Sequence, residues 1–228
     1  MSGTVLLVHG ANHRGSSWRA LQDALAGRGI ESVTVDLPSA SPALADLHAD
    51  ADVIREAVAR HGATVVVCHS YGGMPTTQAL VGNTSVERIV YLTAWMPRPG
   101  MSLLDLSDDG DDDDSELHWQ LSADESTIGA SDPATLFYNR CPPDVAEAAI
   151  RELAPQSFVS FTQAVTGAAW HTIPATYIVC EDDNAIAPHL QRAMAEQADE
   201  VFVIDSDHSP FLSFPQRTAA LVATLVDH

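Results

Sequence analysis

The chain contains no lysine, and its eleven basic residues are all arginine. Against 31 acidic residues they leave a formal net charge of −20. Because nucleic acids and anionic lipid surfaces attract positive charge, this balance argues against either as a partner. Much of the acid lies in the segment 105–116, whose spacing lacks the ligand pattern of a calcium-binding hand. We expect a solvated acidic loop there.

Long apolar runs and a secretory leader are also missing. No apolar stretch approaches the length of a membrane span, and the apolar run 5–8 is reached without a basic segment before it. Cys68, Cys141 and Cys180 are few, odd in number and scattered, which argues against a disulfide framework. The sequence therefore predicts a cytoplasmic protein without a membrane partner.

What the chain does have is a regular alternation of strand-like and helix-like segments. Short apolar, β-branched runs alternate with stretches whose apolar residues recur at helical spacing. This predicts an α/β fold with a mostly parallel, doubly wound sheet, built as a single domain over residues 1–228. We expect strands over 4–8, 32–35, 64–68, 87–92, 175–179 and 201–204, and helices over 17–26, 44–60, 74–81, 189–197 and 216–226.

The stretch from about residue 97 to residue 171 interrupts the alternation. It carries two early prolines, the acidic segment, several aromatic side chains and a helical pattern over 144–153. We expect a helical cap insertion over the carboxyl edge of the sheet, where it would cover a pocket. Trp95, Trp119, Phe137 and Trp170 either line that pocket or fill the core of the cap.

The run 65–73 carries the first indication of chemistry. Three valines lead to the pentapeptide Cys68-His69-Ser70-Tyr71-Gly72, and a helix-compatible stretch follows. A serine at a sharp strand-to-helix turn is exposed and lies near a helix N-terminus, as in the G-x-S-x-G nucleophile motif. Cys68 replaces the first glycine of that motif, and we expect it to be a buried small residue rather than the nucleophile.

A serine nucleophile needs a base and a carboxylate that orients the base. In an α/β sheet of this kind they follow in the order serine, acid, histidine, each after a late strand. His208 follows the run 201–204, and Asp183 follows the run 175–179. Glu181 and Asp182 are adjacent alternatives for the acid.

With these residues in place, the chain resembles the α/β-hydrolase superfamily. The likeness is closest to the small-esterase branch that includes plant methyl esterases and hydroxynitrile lyases, with bacterial esterase relatives. The resemblance implies Ser70 as nucleophile, His208 as base and Asp183 as its orienting acid. The residues that carry it are the segment 8–13, Trp18, the segments 69–73, 174–180 and 183–186, Gln191 and the segment 207–210.

The same resemblance implies an oxyanion hole formed by the backbone N–H groups of Ala11 and Tyr71. Hydroxynitrile lyases of this branch use a threonine in the oxyanion turn and a lysine directly after the histidine. Here those positions are Gly10 and Ser209, which argues against cyanohydrin cleavage by that mechanism. For His9 and His13, which flank the turn, we expect structural hydrogen bonds.

The sequence therefore predicts a serine esterase that cleaves a small hydrophobic carboxylic ester through an acyl-enzyme. The alternatives are a lyase or a carbon–carbon or lactone-bond hydrolase on the same fold, or a non-catalytic ligand-binding relative. We expect no cofactor and no metal, because the chain has no Cys-x-x-Cys pattern and we expect structural hydrogen bonds for its one His-x-x-x-His pair, His9 and His13. Whether the chain forms a homodimer stays open.

Overall fold

The strands of the fold belong to two separate sheets. The computed structural model describes residues 3–107 and 119–226. The larger sheet contains β1 (Thr4–Val8), β2 (Ser32–Thr34), β3 (Ala63–Ser70), β4 (Arg88–Ala94), β8 (Ala175–Cys180) and β9 (Glu200–Ile204), and the smaller sheet contains β5 (Trp119–Leu121), β6 (Thr127–Ala130) and β7 (Gln156–Ser157). The six strands of the larger sheet are parallel and lie in the order β2-β1-β3-β4-β8-β9.

Helices connect the parallel strands and cover both faces of the sheet. The helix Leu47–His61 shows how the sequence sets the ends of a helix. Before its first residue, the side chain of Asp46 accepts a hydrogen bond from the N–H of Ala49, and after its last residue Gly62 adopts a left-handed φ of 61°. The helices are α1 (Arg19–Ala26), α2 (Leu47–His61), α3 (Gly73–Ala79), α4 (Leu103–Ser107), α5 (Pro133–Phe137), α6 (Pro143–Arg151), α7 (Val159–Thr162), α8 (Pro188–Ala195), α9 (Pro210–Ser213) and α10 (Pro215–Val226).

Two hydrophobic cores lie on opposite faces of the six-stranded sheet. Leu6, Val66 and Cys68 belong to one core, whereas the alternating residues Val65 and Val67 belong to the other. Side chains alternate across a strand, so a strand covered by helices on both sides is apolar at every position. The doubly wound parallel sheet predicted from the sequence is confirmed.

The insertion is less helical than predicted. Besides short helices, it contains the antiparallel sheet β5-β6-β7, in which Gln120 pairs with Gly129 and Ile128 pairs with Gln156. These strands are two to four residues long, too short for an alternating pattern to be visible in the sequence. The expectation of a helical cap was therefore incomplete.

The predicted element boundaries differ from the structure by a few residues. The strand ending in the nucleophile motif continues through Ser70 instead of stopping at Cys68, and the helix expected from residue 44 starts at Leu47. Residues 105–107 of the acidic segment belong to α4, and residues 108–116 lie outside the described residues. Within the described ranges, every helix is too short or too polar to cross a bilayer.

Candidate active site

Ser70 occupies the apex of a sharp turn between β3 and α3. Its φ is +52°, a left-handed backbone conformation that residues other than glycine rarely adopt. Its carbonyl accepts a hydrogen bond from the N–H of Trp95 at 3.1 Å, which ties the apex to the end of β4. Ser70 is only partly buried, so a strained turn presents its hydroxyl at the carboxyl edge of the sheet.

The two glycines that follow Tyr71 allow the backbone to fold this tightly. A Cβ on Gly72 would lie 2.5 Å from the carbonyl oxygen of His9, and one on Gly73 would lie 2.0 Å from the carbonyl oxygen of Trp95. Both contacts are with backbone, which cannot move aside without displacing a strand. The glycines therefore let the start of α3 approach the ends of β1 and β4.

The predicted acid and base lie together beside this turn. Asp183 follows β8 and His208 follows β9, and His208 Nδ1 donates to Asp183 Oδ2 at 2.8 Å. Both side chains are almost completely buried. Because Nδ1 carries the proton in this hydrogen bond, Nε2 of His208 is the nitrogen left to accept a proton from a nucleophile.

Five donors hold the Asp183 carboxylate. Oδ1 accepts the backbone N–H groups of Ala185 and Ile186 at 2.7 and 3.0 Å. Oδ2 accepts the Thr93 hydroxyl and, at 3.0 Å, the Gln191 side-chain amide, in addition to His208. A carboxylate is purely an acceptor, so this environment matches its ionised form. The adjacent Asp182 is half exposed and pairs with Arg140 at 2.8 Å instead.

His69 lies directly behind the predicted base. Its Nε2 donates to the carbonyl oxygen of His208 at 2.8 Å, and the two rings are 4.5 Å apart. Burial lowers the pKa of His69 well below its ordinary value, so the ring stays neutral. The neutral ring of His69 therefore supports the loop that carries His208.

The predicted oxyanion residues lie at neighbouring strand ends. Ala11 follows β1 and Tyr71 follows β3, and these two strands pair in parallel. In the described part of the chain, neither backbone N–H donates to a backbone carbonyl. Two such donors at the edge that carries Ser70 suit the developing charge of a carbonyl oxygen.

The histidines around the oxyanion turn make structural hydrogen bonds. His9 donates from Nδ1 to the carbonyl of Gly10 at 2.8 Å and accepts the N–H of Leu37 at 2.9 Å. His13 donates from Nδ1 to the carbonyl of Ala11 at 2.7 Å. Burial lowers the pKa of His9 to about 4 and that of His13 to about 3. Both rings are therefore neutral at pH 7 and add no positive charge to the site.

Of the four aromatic residues named from the sequence, three lie near the predicted triad and one lies at the ends of the insertion. Phe137 packs 5.6 Å from the ring of His208, and Trp119 packs on Phe137 at 5.9 Å. Trp95 is buried beside Ser70 at the end of β4. Trp170 instead donates its indole N–H to the carbonyl of Pro97 at 2.9 Å, and so fastens the two ends of the insertion to each other.

Cys68 is fully buried beneath the turn. Its thiol lies 3.5 Å from the carbonyl oxygen of Val90, and burial raises its pKa far above the ordinary value. A thiolate at this position is disfavoured, which argues against a cysteine nucleophile.

Comparison with known proteins identifies the family to which this fold belongs. Residues 5–221 match the family described as the α/β hydrolase family. The chain belongs to that family. The six-stranded parallel sheet with its covering helices is the corresponding fold.

Relatives of this α/β hydrolase include esterases. It is 32% identical over 239 residues to a probable hydrolase of a Phoma species, with 97% of each chain covered. It is 24% identical over 251 residues to methyl jasmonate esterase 1 of Vitis vinifera, covering 97% of this chain and 96% of that protein. The solved structure of a pyrethroid hydrolase from Sphingobium faniae shares the fold, with a TM-score of 0.86 at 23% identity over 99% of this chain and 97% of that one.

Some residues at the site were not recognised from the sequence. Thr93 is the next-to-last residue of β4 and donates to Asp183, but a lone threonine in an apolar strand has no distinguishing pattern. Asp50 lies on the buried face of α2 and has no exposed surface. In the sequence it is one acidic residue among several in a helical pattern, and nothing marks it as buried. Strand order brings Thr93 to the site and the packing of α2 brings Asp50 there, and neither is local information in the sequence.

Proposed function

We propose that this α/β hydrolase is a serine esterase that cleaves carboxylic esters of small hydrophobic alcohols or acids through an acyl-enzyme. One observation carries the proposal: a left-handed serine at the strand-to-helix turn shares its sheet edge with a buried aspartate–histidine pair. A strained apex of this kind costs about 1–3 kcal/mol, which a fold retains where the conformation serves the chemistry.

Each group has a defined task in the proposed reaction. Ser70 Oγ attacks the acyl carbon while His208 Nε2 takes its proton. The carbonyl oxygen becomes an oxyanion that accepts hydrogen bonds from the N–H groups of Ala11 and Tyr71. His208 then gives the proton to the departing alcohol, and the acyl group stays on Ser70. Asp183 keeps the His208 ring in the required tautomer throughout.

Hydrolysis of the acyl-enzyme repeats these steps with water. His208 removes a proton from a water molecule that attacks the acyl carbon, and Ser70 Oγ regains its proton as the acid leaves. Ser209, which follows the base, has a buried hydroxyl and no positive charge. A lyase of this branch needs a cation at this position to neutralise the cyanide leaving group. Because this chain has a serine there instead, ester hydrolysis is favoured over cyanohydrin cleavage.

Turnover of p-nitrophenyl acetate and p-nitrophenyl butyrate tests the proposal. Wild type should hydrolyse at least one ester, and a p-nitrophenyl phosphonate should label Ser70 and stop turnover. Ser70→Ala and His208→Ala should each lower kcat by several orders of magnitude, as in other triads. Wild type without turnover and without labelling would refute an esterase, and full activity in His208→Ala would refute its role as base.

The acid is tested by a matched pair of neighbours. Asp183→Asn should lower kcat strongly because the amide cannot accept all five donors, whereas Asp182→Asn should lose only a half-exposed ion pair with Arg140. A larger loss of kcat in Asp182→Asn than in Asp183→Asn would contradict the assignment.

A further inference from the structure

A chain of buried hydrogen bonds joins the two turns of the proposed oxyanion hole. At one end the hydroxyl of Tyr71 donates to Asp50 Oδ2 at 2.6 Å, and the hydroxyl of Ser39 donates to the same oxygen at 2.5 Å. The Gln156 amide then donates to Ser39 Oγ at 2.9 Å, and its carbonyl accepts the backbone N–H of Asn12 at 3.3 Å. The path thus runs from the residue after Ser70 to the residue after Ala11.

We propose that this network positions the oxyanion hole, with Asp50 and Gln156 acting as positioning residues for the backbone donors of Tyr71 and Ala11. The inference rests on the proposed esterase function. It goes beyond the triad, because Asp50, Ser39 and Gln156 lie in α2, in the loop after β2 and in β7, away from Ser70, Asp183 and His208.

Burial makes the network rigid. Ser39, Asp50 and Gln156 have no exposed surface, and Asn12 and Tyr71 have 4% and 1%. Buried polar groups are strongly destabilising when they lack a hydrogen-bond partner, so partners at such depth hold one another in place. Asp50 Oδ1 also accepts the N–H of Ser39 at 2.9 Å, and Gln156 donates its second amide hydrogen to Ser160 Oγ at 2.8 Å, whereas Asn12 Oδ1 has no hydrogen-bond partner among the described residues.

The insertion holds the Asn12 end of the network. Asn12 has a φ of +62°, and its side-chain amide donates to the carbonyls of Ile128 and Ala154 at 3.0 Å each. Its own carbonyl accepts the N–H of Ala154 at 2.7 Å. These bonds fix the peptide plane next to Ala11, so the oxyanion turn after β1 takes its conformation from β6 and from the segment that leads into β7.

The Tyr71 end is held by its ring as well as its hydroxyl. The ring stacks on Phe161 with centroids 5.5 Å apart, and the hydroxyl is fixed on Asp50. With both ends of the side chain held, the main chain of Tyr71 has one arrangement relative to Ser70. Catalysis is sensitive to this, because a misplacement of about 1 Å in a catalytic group can cost on the order of 100-fold in rate.

Removing one hydroxyl tests the inference, and Tyr91 supplies the matched control. Tyr91 is another buried tyrosine, and its hydroxyl shares a hydrogen bond of 2.7 Å with the Thr77 hydroxyl. Neither residue belongs to the network described above. Tyr71→Phe should lower kcat/KM for p-nitrophenyl butyrate by roughly 10- to 100-fold, mainly through kcat and with KM within about 3-fold. Tyr91→Phe should melt at a similarly reduced temperature but keep kcat/KM within about 3-fold of wild type.

A double-mutant cycle tests whether the network acts as a unit. Gln156→Met should also lower kcat, and the combined Tyr71→Phe/Gln156→Met loss should be smaller than the product of the single losses. A multiplicative loss would overturn the coupling. The inference would be overturned, and the proposed function would stand, if wild type shows Ser70-dependent turnover that Tyr71→Phe does not reduce. An equal reduction by Tyr71→Phe and Tyr91→Phe would have the same meaning. Wild type without Ser70-dependent turnover would overturn the proposed function, and the inference with it.

Discussion

Replacing Ser70 by glycine should give a more stable protein than replacing it by alanine. Both substitutions remove the hydroxyl, so the comparison isolates the backbone at the apex. Ser70 has a φ of +52°, where an L-residue with a Cβ pays about 1–2 kcal/mol and glycine pays nothing. Glycine loses about 0.5–1 kcal/mol through its greater freedom in the unfolded chain. The net advantage of Ser70→Gly over Ser70→Ala is therefore about 0.5–1 kcal/mol.

Urea denaturation followed by tryptophan fluorescence measures this difference. For a domain of this length, the expected advantage corresponds to a melting temperature about 1–4 °C higher for the glycine variant.

Two control positions separate backbone strain from other effects of glycine. Glu125 is exposed in the turn between β5 and β6 with a φ of +55°, so Glu125→Gly should be more stable than Glu125→Ala. Ala148 is exposed in the middle of α6, where the backbone is helical, so Ala148→Gly should lose about 0.5–1 kcal/mol. If Ser70→Gly is no more stable than Ser70→Ala while both controls behave as expected, the apex serine is unstrained and the argument from its conformation fails.

Two further substitutions test buried polar groups near the site. Burial raises the pKa of Asp50 to about 6 from an ordinary 3.8, so its contribution to the free energy of unfolding is complete below pH 4 and is lost as the pH rises through 6. Relative to Asp50→Asn, wild type should therefore lose up to about 3 kcal/mol between pH 4 and pH 7 in urea titrations, and a constant difference would contradict the raised pKa. Thr93→Val should lower the free energy of unfolding by about 1.5–3 kcal/mol, because it removes a donor to the Asp183 carboxylate, whereas Thr93→Ser keeps that donor; equal losses in the two variants would refute the role of the hydroxyl.

The sheet could be predicted because its information is local. Each buried parallel strand is a short apolar run, and the serine motif, Asp183 and His208 follow such runs directly. The short strands of the insertion could not be predicted in this way, since two to four residues carry no recognisable period. Only the strand order puts Thr93 against Asp183, and only the packing of α2 puts Asp50 under Tyr71.

The contacts of the insertion divide its residues by what they can influence. Phe137 packs on the ring of His208 and Trp119 packs on Phe137, so on the proposed mechanism we expect their size and shape to influence which substrate fits. Gln156 and Ala154 reach the site through hydrogen bonds to Asn12, so they bear on the oxyanion turn itself. On the proposed mechanism, β7 is therefore constrained by the chemistry although it contains no group that takes part in it, whereas Phe137 acts through its packing on the base.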